Sequence, residues 1–157
     1  FGWGVEQNGY IFSFIGIISA IIQGSMIGPL SRRIGEIGMV KQGFLALGIG
    51  LALLPFAENL PILLGTMVLI AYGFSVSSPA LNTLLSLNTP EDQQGGILGI
   101  GRSASTLARA LGPIGAGYLF TLIGRDWPFY IGAVLMFAVL ILAFNFDKNV
   151  KDSKIID

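Results

Sequence analysis

Five apolar stretches divide this chain, near residues 10–27, 40–57, 60–87, 97–123 and 128–146, and the Lys and Arg residues between them fall almost wholly on one side. Each stretch supplies the ~20 apolar residues that a helix needs to cross a hydrocarbon core of ~30 Å. The first two are joined by Gly28 to Glu36, a basic segment holding Arg32 and Arg33, with Lys41 just beyond. The next junction, around Glu58 and Asn59, has no cation, and the one at Thr89 to Gln94 has none before Arg102 inside the following stretch. Arg125 and Asp126 mark the last junction, and the end of the chain carries Lys148, Lys151 and Lys154. Counted by Lys and Arg alone, the first junction and the tail are cytoplasmic and the alternate junctions are not. An odd number of spans then puts the amino end outside and the tail, residues 147–157, in the cytoplasm.

Composition agrees with lipid as the solvent. Of 157 residues, 53% are hydrophobic and 11% charged, against about 25% charged in soluble domains. Long uninterrupted apolar runs favour helices over the short alternating strands of a membrane barrel. The sequence therefore predicts an all-α membrane protein of five transmembrane helices (residues 1–146) followed by a polar, poorly ordered tail. Its formal net charge is zero, so no basic field exists for nucleic acid. Cys and His are both absent, which excludes disulfides, thiolate or imidazole metal sites and Ser-His-Asp or Cys-His chemistry supplied by this chain. No cofactor and no enzymatic activity are expected. The first residue is Phe1 and no cation precedes the first span, so the chain is expected to be the carboxyl-terminal piece of something longer.

Several features bear on packing. Gly16, Ala20, Gly24 and Gly28 recur every four residues, and Gly95, Gly99 and Ser103 repeat the device. Such stripes let helix backbones approach closely in lipid, and both are expected at interfaces. Pro79 and Pro113 lie well inside the third and fourth spans, where each removes a helix hydrogen bond and tends to bend the axis.

Polar residues at helical spacing mark two spans. Tyr72, Ser75, Ser78, Asn82 and Ser86 share a face of the third, and Arg102, Ser105, Thr106 and Arg109 do so in the fourth. At ~1.5 Å per residue, Arg102 lies roughly 10 Å from the cytoplasmic end of its helix and Arg109 roughly 20 Å in. A charge at that depth costs at least ~2.5–3.5 kcal/mol in lipid, so it should face protein or water. Arg102 has the alternative of reaching back to the headgroups. Arg109 is too deep for that and requires a cavity or a buried partner. Every acid of this chain lies in a junction, an end or the tail, so a deep carboxylate partner must come from outside it.

The basic segment carries a resemblance. The signature loop of the major facilitator superfamily runs Gly-x-Leu-small-Asp-basic-x-Gly-basic, and Gly28, Leu30, Ser31, Arg33 and Gly35 match it. Arg32 stands where the Asp would be and Glu36 where a basic residue would be. Those departures resemble the weaker second copy of the loop, between the eighth and ninth helices, in the tetracycline and multidrug efflux branch. The runs Ser78 to Asn82, Thr89 to Gly95 and Ser105 to Pro113 are similar to the tenth and eleventh helices of such exporters. The resemblance covers residues 1–146. It implies helices eight to twelve of a twelve-helix transporter working by alternating access, set in a plasma (bacterial inner) membrane. Its partners would be lipid, a small-molecule substrate, the amino-terminal half of the same polypeptide and, for an antiporter, a proton. Gly28 and Gly35 would permit a tight turn in the gating loop, and Arg33 would supply its cation. Tyr72, Asn82, Arg102, Ser105, Thr106 and Arg109 are the candidates for the substrate pathway. Uptake of a sugar or organic anion, or a non-transporting assembly partner or truncated half, are the competing readings.

Overall fold

The computed structural model describes the backbone of residues 4–153 and the side chains of residues 4–145. Its elements are α1 (Val5–Ile21), a wide turn of π-helix over Ile22–Met26, α2 (Ile27–Leu53), a 3-10 turn over Leu54–Phe56, α3 (Leu60–Leu87), α4 (Gln94–Leu122) and α5 (Trp127–Ser153). No strand occurs among the described residues. The start of α3 is set locally: the Asn59 side chain accepts the Ile62 N–H at 3.0 Å, and Pro61 occupies the first turn, where its missing donor is not needed.

The first two apolar stretches are helices that meet at a kink rather than across a nine-residue loop. Helical backbone runs through Gly28 to Ile34, and only Gly35, at φ 67 and ψ 174, leaves it. The reason is local: Pro29 falls in the first turn of α2, where proline is tolerated. No other residue of the segment stops a helix. A straight helix would hold Ile22 and Val40 about 27 Å apart. Both join one buried cluster with Val76 and Ala80 of α3, so the chain bends sharply between them.

Among the described residues three stretches are long and apolar enough to cross a membrane: Val5–Phe56, Leu60–Leu87 and Trp127–Asn145. By length and hydropathy alone, the five expected spans are not all distinguished. The first two fall in one run, Val5–Phe56, that the kink at Gly35 divides, and α4, with its polar face, falls short in hydropathy. The last helix also runs past Phe146. Helix α5 continues to Ser153, since nothing from Asp147 to Ser153 is Gly or Pro and polar side chains alone do not end a helix. Residues 154–157, with Lys154, lie outside the described residues.

Helix α2 is the centre of the packing. Its successive contacts pair Gly43 with Ser77, Leu47 with Gly73 and Gly50 with Ile70, a descending register that makes α3 antiparallel to it. On its other side Lys41 lies 4.4 Å from the Phe144 ring centroid, Gly48 meets Phe137, and Leu51 meets Gly132. Helix α5 is therefore antiparallel to α2 as well. The α2–α3 approach is the closest: a Cβ on Gly73 would lie 2.5 Å from the Gly43 carbonyl oxygen and 2.8 Å from the Leu47 nitrogen. Two facing glycines let the backbones touch, the usual source of helix association where lipid gives little hydrophobic drive.

The two stripes expected at interfaces are not used in this way. A Cβ on Gly16, Gly24, Gly28, Gly95 or Gly99 would meet nothing within 4 Å, and Ala20 and Ser103 are exposed. Neither stripe has a neighbouring helix laid along it among the described residues. Helix α4 has no buried residue at all, and it touches α3 chiefly near their junction.

Candidate functional site

Two features of the junction between α3 and α4 bring candidate residues together. Gln94, in the first turn of α4, donates from Nε2 to the Ser86 carbonyl at 3.2 Å and to the Thr89 carbonyl at 3.3 Å. This clasp holds the start of α4 to the end of α3. Two turns on, Gly101 lies opposite Leu85, whose Cδ1 would stand 3.3 Å from a Cβ there. Beside these points Asn82, Thr83, Ser86 and Leu87 of α3 and Leu98 and Arg102 of α4 line a cleft of about 300 Å³. Positions 82 and 86, like 98 and 102, are four apart and share a helix face.

The cleft unites two of the six pathway candidates, Asn82 and Arg102. Ser105, Thr106 and Arg109 follow along α4 but are exposed and outside it. The Thr106 hydroxyl donates to the Arg102 carbonyl at 2.9 Å, a bond within its own helix. Tyr72 lies elsewhere: its hydroxyl donates to Gln42 Oε1 of α2 at 3.2 Å, and its ring packs on the buried cluster. The expected common face of α3 is thus divided, with Tyr72 towards α2 and Asn82 and Ser86 towards α4. Ser75, between them, is 1% exposed, and its Oγ has no hydrogen-bond partner among the described residues. Pro79 and Pro113 sit inside helices that continue past them.

In the basic segment, Gly35 has the positive φ expected of a turn glycine, whereas Gly28 is helical. Arg32 and Arg33 are exposed. Glu36 has a role that a motif comparison does not assign: its Oε1 accepts the Ser31 hydroxyl at 2.8 Å. This bond spans the Gly35 break. A negative side chain at the first helical position beyond the break also suits the helix dipole. Leu30 packs against the buried cluster.

A larger groove, about 600 Å³, opens between α2, α3 and α5 and is lined by apolar side chains such as Val40, Phe44, Leu84 and Leu142. Its two polar neighbours are spent locally, Asn88 donating to the Leu84 carbonyl and Thr89 to the Leu85 carbonyl. With these two groups at one end of an otherwise apolar lining and no charged side chain among the described residues there, it is poorly suited to orient a polar ligand. The smaller cleft is the candidate site.

Gln42 and Gln94 escaped the sequence reading because a single Gln carries no periodic signal. Substituting Tyr72 by Phe removes the bond to Gln42 and should cost about 0.5–1.5 kcal/mol. Ser75→Ala removes a buried hydroxyl that bonds to nothing, and should be neutral or stabilising by up to ~1 kcal/mol. Thermal unfolding in detergent checks both.

Comparison with known proteins identifies the class of this bundle. The sequence matches the Major Facilitator Superfamily over residues 1–155. It is 33% identical over 138 residues to the class G tetracycline resistance protein of Vibrio anguillarum, covering 86% of this chain and 35% of that protein. It is 32% identical over 151 residues to major facilitator superfamily domain-containing protein 10 of Mus musculus, covering 94% of this chain and 32% of that protein. Solute carrier family 22 member 18 of Mus musculus is 29% identical over 139 residues, with 87% and 33% covered. No solved structure matches. The chain belongs to the major facilitator superfamily and is a multi-pass membrane protein. It spans about a third of the length of the curated relatives it matches.

Proposed function

We propose that this chain forms helices eight to twelve of a twelve-helix secondary transporter that works by alternating access and exports drugs or small metabolites in exchange for protons. The observation that carries the reading is the cleft joining Asn82 and Arg102. It is a polar site between two long helices of a chain that resembles tetracycline resistance proteins along most of its length. Five crossings remain the best count. A 52-residue run is about 78 Å of helix, enough for two crossings with the reversal at Gly35, and α4 makes its crossing with its polar face turned to protein or water.

Arg109 supports the same reading. It is exposed on α4, and no hydrogen bond or ion pair links it to the described residues. In lipid that position is costly, so in the complete polypeptide it faces an aqueous pathway or a carboxylate of the other half. The coupling acid would also lie there, because no acid of this chain is deep in a span. The basic segment would face the cytoplasm and act in gating, with Arg33 exposed and Gly35 at the bend.

The test is drug susceptibility of a sensitised bacterial strain expressing the complete polypeptide. The intact protein should raise tolerance to tetracycline or a related compound. Arg109→Ala should abolish that gain with membrane expression unchanged. Full tolerance in the variant would remove Arg109 from the mechanism, and no gain from the intact protein would count against drug export. A second reading, a solute carrier with another substrate, draws on the printed name of the 29% identical mouse relative.

A further inference from the structure

The α3–α4 cleft has an uneven chemistry. Arg102 brings a guanidinium, Asn82 a side-chain amide and Ser86 a hydroxyl, and none of these side chains has a hydrogen bond or ion pair with the described residues. The Thr83 hydroxyl is already committed, donating to the Pro79 carbonyl at 3.1 Å. Unpaired donors therefore predominate: up to five from the guanidinium, two from the amide and one from the hydroxyl. The carboxylates nearest in sequence, Glu91 and Asp92, sit in the junction and do not line the cleft. Leu87 and Leu98 supply apolar walls. Gln94 and Gly101 fix the spacing of the two helices on either side.

We propose that this cleft is an oxyanion site, which receives the carboxylate or phosphate group of an otherwise apolar small molecule. Arg102 binds the anion with charge-assisted hydrogen bonds, the strongest kind available to it. The Asn82 amide and Ser86 hydroxyl complete the ring of donors, and the two leucines hold the adjoining carbon skeleton. The assignment rests on the reading of α3 and α4 as part of a transport pathway and narrows its substrate class to acidic compounds. The shared chemistry has two possible sources, a dissolved acid or the phosphate of a lipid headgroup.

The test uses the complete polypeptide in dodecyl maltoside micelles, which carry no phosphate, with salicylate as the probe and its fluorescence as the readout. Saturable binding is expected. Arg102→Gln should weaken it by about 10- to 100-fold, and Arg102→Lys, which keeps the charge but not the fork, should fall between. A size-exclusion profile identical to that of the unsubstituted protein shows that each variant is folded. Adding phosphatidylglycerol to these micelles separates the sources. Unchanged salicylate affinity assigns the site to dissolved acids, and competitive loss of affinity shows that headgroup phosphate occupies the same donors. Equal salicylate affinity in the intact protein and in Arg102→Gln would overturn the proposal. Proton-driven tetracycline movement in proteoliposomes, measured in parallel, keeps the two claims apart, since tetracycline carries an ionisable enol. Movement without salicylate binding rejects the oxyanion site alone, and binding without any transport rejects the pathway reading on which it rests.

Discussion

Gly73→Leu is expected to abolish accumulation of the folded protein, and Gly73→Ala to destabilise it by about 1–3 kcal/mol. A single added methyl at this position would stand 2.5 Å from the Gly43 carbonyl oxygen and 2.7 Å from Leu47 Cγ. The nearest obstacle is backbone, so no rotamer change relieves it. Helices α2 and α3 would have to move apart, and the cluster of Met39, Val40, Val76 and Ala80 would lose its fit on both sides. Gly43→Ala should behave alike, since its methyl would meet Ser77 Cβ at 2.7 Å and the Gly73 oxygen at 2.8 Å. Gly16→Ala is the control: nothing lies within 4 Å, and alanine is the better helix former by about 1 kcal/mol. Fluorescence-detected size exclusion with a thermal ramp reads all of them. An unshifted melting temperature for Gly73→Ala would show that the close α2–α3 contact is not formed.

The two glycines of the basic segment should part company. Gly35→Val places a β-branched residue at φ 67 and ψ 174, a region that essentially only glycine occupies, at a cost of order 1–3 kcal/mol. The bend would open, and the Ser31–Glu36 bond across it would be lost. Gly28→Ala should leave folding intact, because Gly28 is helical with open space around it. Trypsin cleavage after the exposed Arg32 and Arg33 offers a readout: faster in Gly35→Val, unchanged in Gly28→Ala. Equal cleavage in both would mean that the segment's geometry does not depend on Gly35.

That contrast shows what the sequence could and could not reveal. Hydropathy made the apolar segments legible, and the placing of Gly35 made the bend legible, because both depend on local chemistry. The extent of the break was not. A loop of nine residues was expected, but Pro29 in a first turn does not stop a helix, and the bend contracts to one residue. The crossing of α2 and α3 was visible in principle, since Gly73 and Ser77 are four apart and Gly43 and Gly50 seven apart. The longer stripes of α1 and α4 carried the stronger pattern, yet they meet no neighbour among the described residues. Periodicity marks a face as suited to close packing without saying which partner reaches it. In the same way, helical spacing grouped Tyr72 with Asn82, and only the positions of α2 and α4 showed that they face different neighbours. The union of Asn82 with Arg102 depends on Gln94 and Gly101, two single residues with no repeating signature.

Everted membrane vesicles containing the complete polypeptide offer the most direct test of transport. Respiration acidifies their interior, and tetracycline uptake is followed by fluorescence. The account predicts accumulation above that of vesicles lacking the protein, collapse of that accumulation when a protonophore is added, and no accumulation with Arg109→Ala. Accumulation that persists after the protonophore would contradict proton coupling. Uptake no greater than in vesicles lacking the protein would contradict export of tetracycline by the chain.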